Sequence, residues 1–406
     1  MVISERGVVA TSQTLASQAG AQVLARGGSA VDAAIAANAV LTVVEPMMNG
    51  MGGDLFAIYR DAASGEVTGI NASGWSPRRL TIDLLRQKGH TSMPQDGIFS
   101  VSVPGCVDGW EKLHRRYGRL SWADIFRPAI HYAEQGFPVT EWIQGSWKES
   151  FENLRKDPAG AKVFLPGGRA PQIGEVFRNP DLAKALRLVA EGGARVFYDG
   201  PVAQALLATS ARLGGVLEEA DLKEFSSEWV APISSDYRGW TVSQLPPNGQ
   251  GMAVLEMLNI MERFPIPDYS AESTDAWHVK IEAQKLAYQD LQRFLADPRF
   301  FQVPVPELIG KPYAARRASL ISPGKARCSV APGDPLSSAG DTIYLTVVDR
   351  DGNIVSLIQS IYLAFGSGVV VDGMGFHLHN RAGLFDFDPQ HPNALAPRKR
   401  PFHTII

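Results

Sequence analysis

The 406-residue sequence is 45% hydrophobic and 20% charged, with a formal net charge of −3. That balance fits a soluble globular chain and excludes a bulk attraction to nucleic acid or to an anionic membrane surface. Two cysteines, Cys106 and Cys328, stand without a CxxC or a Cys/His cluster, which excludes a disulfide framework or a cysteine zinc site.

In chain order, the N-terminal MVISERGVVATSQ lacks a basic stretch followed by an apolar core, so no signal peptide is expected. The longest apolar run, Ala33 to Val44, contains Asn38 and is too short to span a bilayer. The cytoplasm is the expected compartment. Thr14 to Ala25 has helical spacing and stops at Gly27-Gly28; Ser29 then caps a second helix to Val44 that is apolar on most sides. The loop Asn49-Gly50-Met51-Gly52-Gly53-Asp54 follows, then strands Leu55 to Tyr59 and Val67 to Asn71. Helix, glycines, strand is the wrong order for a nucleotide-binding loop. The glycines read as sites of close backbone approach, with an anion nest as the other reading.

Helices are predicted over Trp110 to Tyr117, Trp122 to Gln135, Asp181 to Glu191, Pro201 to Leu213, Met252 to Arg263 and Thr274 to Leu295, and a strand over Ser234 to Gln244. Ser322 to Gly340 reads as a surface linker of small residues. Beyond it the pattern is β: Thr342 to Val348, a tight turn at Asp351-Gly352, Ile354 to Ser360, Val369 to Val371 and Phe376 to His379. The chain stops within the strand-like Phe402 to Ile406, which reads as a truncated C-terminus. His377, His379, His391 and His403 have no carboxylate at a ligand spacing, so no metal is expected. No cofactor is expected either, and Arg398-Lys399-Arg400 reads as a solvated cluster, with help for an anionic substrate as the other reading.

Several long stretches carry a resemblance: GGSAVDAAIAANAVLTVVEPMMNGMGGDLF, SVPGCVDGW, YRGWTVSQLPPNGQGMAVLEMLNI, HVKIEAQKLAYQD, GDTIYLTVVDRDGN, FGSG and KRP. Over essentially its whole length the chain resembles the γ-glutamyltransferase (glutathione hydrolase) family of N-terminal nucleophile hydrolases. The resemblance implies a four-layer αββα sandwich, with a large segment 1–341 and a small segment 342–406 forming one intertwined domain. It also implies self-cleavage between Asp341 and Thr342. The linker would let the two halves separate, and the new terminal threonine would become the nucleophile. A strand-opening threonine is structural in most proteins; the family pattern makes this one catalytic. The freed α-amine, with a reference pKa of about 8, is a base held beside the hydroxyl by covalent geometry.

Carried over residue by residue, Ser360 stands where the family has a threonine that supports the nucleophile. Ser73, with Trp75 close by, replaces an arginine that binds the substrate α-carboxylate. In HNRAGLF, Arg381 replaces a glutamine, while Gly383 and Leu384 replace the acidic pair that holds the substrate ammonium; His403-Thr404 replace a serine pair. The implied activity is acyl transfer from a small-molecule γ-glutamyl amide such as glutathione to Thr342, then to water or an amine. The cleaved segment is a heterodimer partner, and neither nucleic acid nor a membrane is one. The substitutions also suit a glutaryl-type amide, as in cephalosporin acylases, with Arg381 meeting a terminal carboxylate. The family's Gly-Gly oxyanion pair lies downstream of Ile406, which leaves an inactive binding or assembly protein as a further alternative.

Overall fold

The structure is a computed structural model that describes residues 3–328 and 341–404; the side chains of 341–343 also lie outside the described set. Ten strands follow the chain: β1 (Gly7–Ala10), β2 (Asp54–Arg60), β3 (Val67–Ala72), β4 (Phe137–Pro138), β5 (Val176–Phe177), β6 (Glu228–Val230), β7 (Ile233–Tyr237), β8 (Trp240–Gln244), β9 (Asp341–Asp349) and β10 (Ile354–Tyr362). Six of them form one antiparallel sheet in the order β1-β9-β10-β2-β3-β6; β4 pairs β5, and β7 pairs β8 as a hairpin. Strands β9 and β10 therefore lie between strands contributed by the N-terminal part of the chain.

Alternation along the strands decides which face is covered. Leu345, Val347, Val355, Leu357, Leu55 and Ala57 are buried in a core shared with the Ala30–Val44 and Cys106–Tyr117 helices. Each of these leucines and valines stabilises the fold by roughly 1.5–3 kcal/mol when fully buried. On the other face Tyr344, Thr346 and Ser356 are linked by hydroxyl hydrogen bonds, and Tyr344 is half exposed. The central Ala30–Val44 helix is buried at all its positions, as its composition requires. Its start is fixed by a capping box in which Asp32 N–H donates to Ser29 Oγ (3.1 Å) and Ser29 N–H donates to Asp32 Oδ2 (2.9 Å). A second α/β unit is formed by the β7–β8 hairpin, the Gly251–Met261 helix packed against it, and the Thr274–Phe294 and Lys311–Ala318 helices. Helices and sheets are thus layered as expected for the αββα class.

The long helices match the sequence reading within a few residues. The predicted strand over Ser234 to Gln244 is two strands, because Arg238-Gly239, both with positive φ, turn the chain. Val369 to Val371 and Phe376 to His379 are not strands but isolated bridges, Val370 to His377 and Gly52 to Leu378. Gly373 and Gly375, with φ of +67° and +66°, turn the chain between them too sharply for a ladder to extend. Strands β1 and β6 and the helices within 141–164 lie where no element is predicted. Most of the predicted linker, 329–340, and Ile405-Ile406 lie outside the described residues. Among the described residues no helix is long and apolar enough to cross a membrane.

Candidate active site at the end of the sheet

The glycine loop builds the site by close approach. A Cβ at Gly52 would lie 2.1 Å from His377 O, and one at Gly53 would lie 2.4 Å from Ser360 O. Only glycine permits this packing. The loop thereby brings the start of β2 against the end of β10, where Ser360 and Asp54 are register partners. Gly52 O accepts from His379 N–H (3.0 Å), which draws the segment after Gly375 to the same place.

The ladder between β10 and β9 changes register here. Gln359 pairs with Ile343 and Tyr362 with Asp341, so Thr342 faces two residues, Ser360 and Ile361. This is a β-bulge, a device that re-aims side chains and is common beside active sites. Tyr362, at φ +78°, completes the kink, and its N–H donates to Ser360 Oγ at 2.8 Å. The Thr342 side chain itself lies outside the described residues.

Asp54 is the electrostatic centre. It is fully buried, and its Oδ2 accepts from Arg381 Nε at 2.7 Å. Nδ1 of His379 and Nδ1 of His403 each stand 3.6 Å from the same oxygen. Burial pushes the Asp54 carboxyl up, but the Arg381 charge, followed by the two histidines, outweighs it and holds Asp54 well below the usual carboxylate range. His403 goes the other way. Its burial outweighs the attraction of Asp54, its pKa falls well below the usual histidine range, and it is neutral; Arg381 is therefore the charge that keeps Asp54 ionised. His379 Nε2 lies 3.0 Å from Ser102 O, and because a carbonyl only accepts, that nitrogen carries the proton.

Arg381 is also fully buried. Its Nη1 donates to Thr404 Oγ1 at 2.9 Å, and its guanidinium lies 4.8 Å from the Tyr362 ring centroid. Arg381 therefore sits with its own carboxylate, Asp54, which sequence reasoning missed. The available signal was an acid opening an otherwise apolar strand, DLFAIY. The segment bearing His403-Thr404 is fixed by backbone hydrogen bonds, His403 N–H to Asn248 O and Gln250 N–H to His403 O, and Gln250 Nε2 donates to Thr404 O.

Of the residues singled out from sequence, Ser360, Arg381, His403 and Thr404 gather around Asp54. Ser73 stands one link away. Its Oγ donates to Asn71 Oδ1 (2.6 Å) and contacts Asn248, whose carbonyl holds His403. Trp75 is a core residue in this structure; it is 5% exposed, its Nε1 donates to Asp221 O, and its ring meets Phe225 edge-on. The basic run is not a solvated cluster. Lys399 and Arg400 are buried, Lys399 Nζ donates to Pro392 O and Ala394 O, and Arg400 links Ser73 O to Glu228. His377 packs on Phe164 and Phe365 and burial lowers its pKa to about 3, whereas His379 faces Asp54. Cys106 is buried and Cys328 exposed.

The chain also has known relatives and structural neighbours. The family model described as gamma-glutamyltranspeptidase matches residues 16–406. The chain is 40% identical over 406 residues to the glutathione hydrolase-like YwrD proenzyme of Bacillus subtilis (strain 168), covering 100% of this chain and 76% of that protein. It is 38% identical to the acylase ACY 1 proenzyme of Pseudomonas sp. (strain V22), covering 98% of this chain and 73% of that protein. Its fold superimposes on a crystal structure of cephalosporin acylase from Bacillus halodurans with a TM-score of 0.93 at 42% identity, covering 100% of this chain and 74% of that one. The chain belongs to the gamma-glutamyltranspeptidase family of N-terminal nucleophile enzymes.

Proposed function

We propose that the protein is a self-processing amidase and acyltransferase that cuts itself between Asp341 and Thr342. The carrying observation is the β-bulge, which sets Thr342 opposite Ser360 and, one strand further, aligns both with Asp54. After the cut, the α-amine of Thr342 takes the proton from its own hydroxyl, Oγ attacks the substrate amide carbonyl, and the amine leaves protonated. Water or a second amine then releases the acyl group. Ser360, on the neighbouring strand, supports the nucleophile. The acyl donor is a γ-glutamyl amide of the glutathione type, with Arg381 receiving a substrate carboxylate and His403-Thr404 fixing its position.

A second reading, a glutaryl-type amide as donor, is favoured by Gly383 and Leu384, which offer no partner for a substrate ammonium, and by the likeness to a cephalosporin acylase. Intact mass and a denaturing gel of a full-length protein test the nucleophile. The wild type should appear as two pieces split before Thr342, and Thr342→Ala should stay whole and lose activity by at least about 1000-fold, the range set by loss of an activated nucleophile. A single uncut wild-type band rejects the mechanism.

A further inference from the structure

Away from the end of the main sheet, the second α/β unit encloses a carboxyl group that no donor reaches. Glu256, on the Gly251–Met261 helix, is fully buried, and among the described residues no N–H or O–H group donates to either of its oxygens. Asp32 and Asp54 each leave one oxygen unbonded but have donors on the other, whereas Glu256 has none on either. Its neighbour within hydrogen-bonding reach is a second carboxyl, Asp290 on the Thr274–Phe294 helix. That one is answered. Asp290 Oδ2 accepts from Tyr313 OH at 2.8 Å and lies 3.0 Å from Arg317 Nε, both on the Lys311–Ala318 helix, and Arg317 Nη2 is held by Leu286 O at 2.7 Å. The lysines of these helices are engaged elsewhere: Lys311 with Glu262 and Asn259, Lys285 with Glu282, and Lys280 over the Trp277 ring. On the β7–β8 hairpin, Asp236 and Arg238 bond to Lys311 and Glu262, and Glu307 of the Val305–Leu308 helix is exposed.

Two carboxylates in contact in a low-dielectric interior do not both ionise, and the one that has the cation and the hydroxyl keeps the charge. Asp290 is therefore the anion. The hydrogen that joins the pair is then Glu256's own, donated to Asp290. Burial, followed by the hydrogen bond to Asp290 and its charge, pushes the Glu256 carboxyl up to about 10 against a smaller opposing pull from Arg317. We propose that this shared proton is a latch: with it, Glu256 clips the Gly251–Met261 helix to the Thr274–Phe294 helix, and without it two negative charges part them. The clipped helix begins one residue after Gln250, whose N–H and side chain hold His403 and Thr404. Glu256 stands about one and a half turns further along. Alkaline opening of the latch thus loosens one wall of the candidate site, whether or not the chain is cut before Thr342.

Glu256→Gln keeps the side chain neutral and able to donate to Asp290, but it cannot ionise. Infrared spectra of the full-length protein at neutral pH should contain the carbonyl stretch of a protonated carboxylic acid in the wild type and lack that contribution in Glu256→Gln; identical spectra overturn the shared proton. Stability gives a second readout. The folded-state value of Glu256 lies above the ordinary glutamate value, so the stability this group contributes is complete below that ordinary value and is lost as pH rises toward 10. The unfolding constant of the wild type relative to Glu256→Gln should therefore rise about tenfold per pH unit between about pH 6 and 9, the slope of one proton. A ratio that does not change with pH overturns the proposal. Amide hydrogen exchange over residues 250–261, corrected for the intrinsic rate, tests the opening itself: protection should fall between about pH 7 and 9 in the wild type and hold in Glu256→Gln. Protection that falls equally in both, or in neither, rejects the latch. If Glu256→Gln does not fold, Glu256→Leu, which needs no hydrogen-bond partner, serves in the same three comparisons.

Discussion

Asp32 and Asp54 are both fully buried carboxylates, and the protein satisfies them in opposite ways. Oδ2 of Asp32 accepts from three backbone N–H groups, those of Ser29, Arg119 and Leu120, at 2.8 to 3.0 Å. These donors are part of the chain path, so the carboxylate ties a helix start to a distant loop, while its Oδ1, 3.6 Å from His114 Nε2, makes no hydrogen bond among the described residues. Asp54 is answered by side chains, Arg381 with His379 and His403 around it, and its Oδ1 likewise makes no hydrogen bond among the described residues. A carboxylate held by backbone belongs to the fold. One held by a side-chain cation depends on that single residue and is stranded when it is lost.

Three substitutions test that contrast. Arg381→Met should be the most damaging, because it strands the Asp54 charge in the interior; about 3–5 kcal/mol of stability should be lost by chemical denaturation at neutral pH, against much less for the double variant with Asp54→Leu. His377→Phe comes next, and its effect depends on pH. The folded-state pKa of about 3 lies below the ordinary histidine value, so the unfolded chain binds the proton first; the stability this group allows is complete above that ordinary value and drains as pH falls toward 3. The variant should match the wild type near pH 8 and exceed it by about 2 kcal/mol at pH 5, a flattening visible as a smaller drop in Tm on acidification. Asp32→Asn should be mildest, costing about 1 kcal/mol by chemical denaturation through weaker acceptance of the three N–H bonds. A loss as large as that of Arg381→Met would show that the two carboxylates are not held in different ways.

The parts legible in sequence were those specified locally. The Ser29 capping box, the all-apolar run behind it and the alternation of β9 and β10 are each written within about ten residues, and the structure reproduces them. The Asp54–Arg381 pair spans 327 positions and has no local signature; the glycines before Asp54 drew attention to the loop and away from the acid that ends it. Strand β1 was hidden because GVVA is only four residues long and owes its state to pairing with β9 rather than to its own pattern. In the opposite direction, Val369 to His379 had the β-branched and aromatic composition of strands, but its glycine turns prevent a ladder. Lys399 and Arg400 looked like solvent charges because sequence does not show that Pro392, Ala394, Ser73 and Glu228 converge on them.

The sheet order β1-β9-β10-β2 sets what happens to a molecule cut before Thr342. Strands β9 and β10, on the C-terminal side of the cut, would be woven into the ladder of the preceding piece, with β1 on one side and β2 on the other. Losing a single peptide bond would release an end but not a subunit. The two pieces would behave as siblings rather than as an associating pair, since each small piece stays with the large piece it was synthesised with. Dilution would not dissociate them and mixing would not reshuffle them, so a defective copy could not be rescued by a sound half from its neighbour.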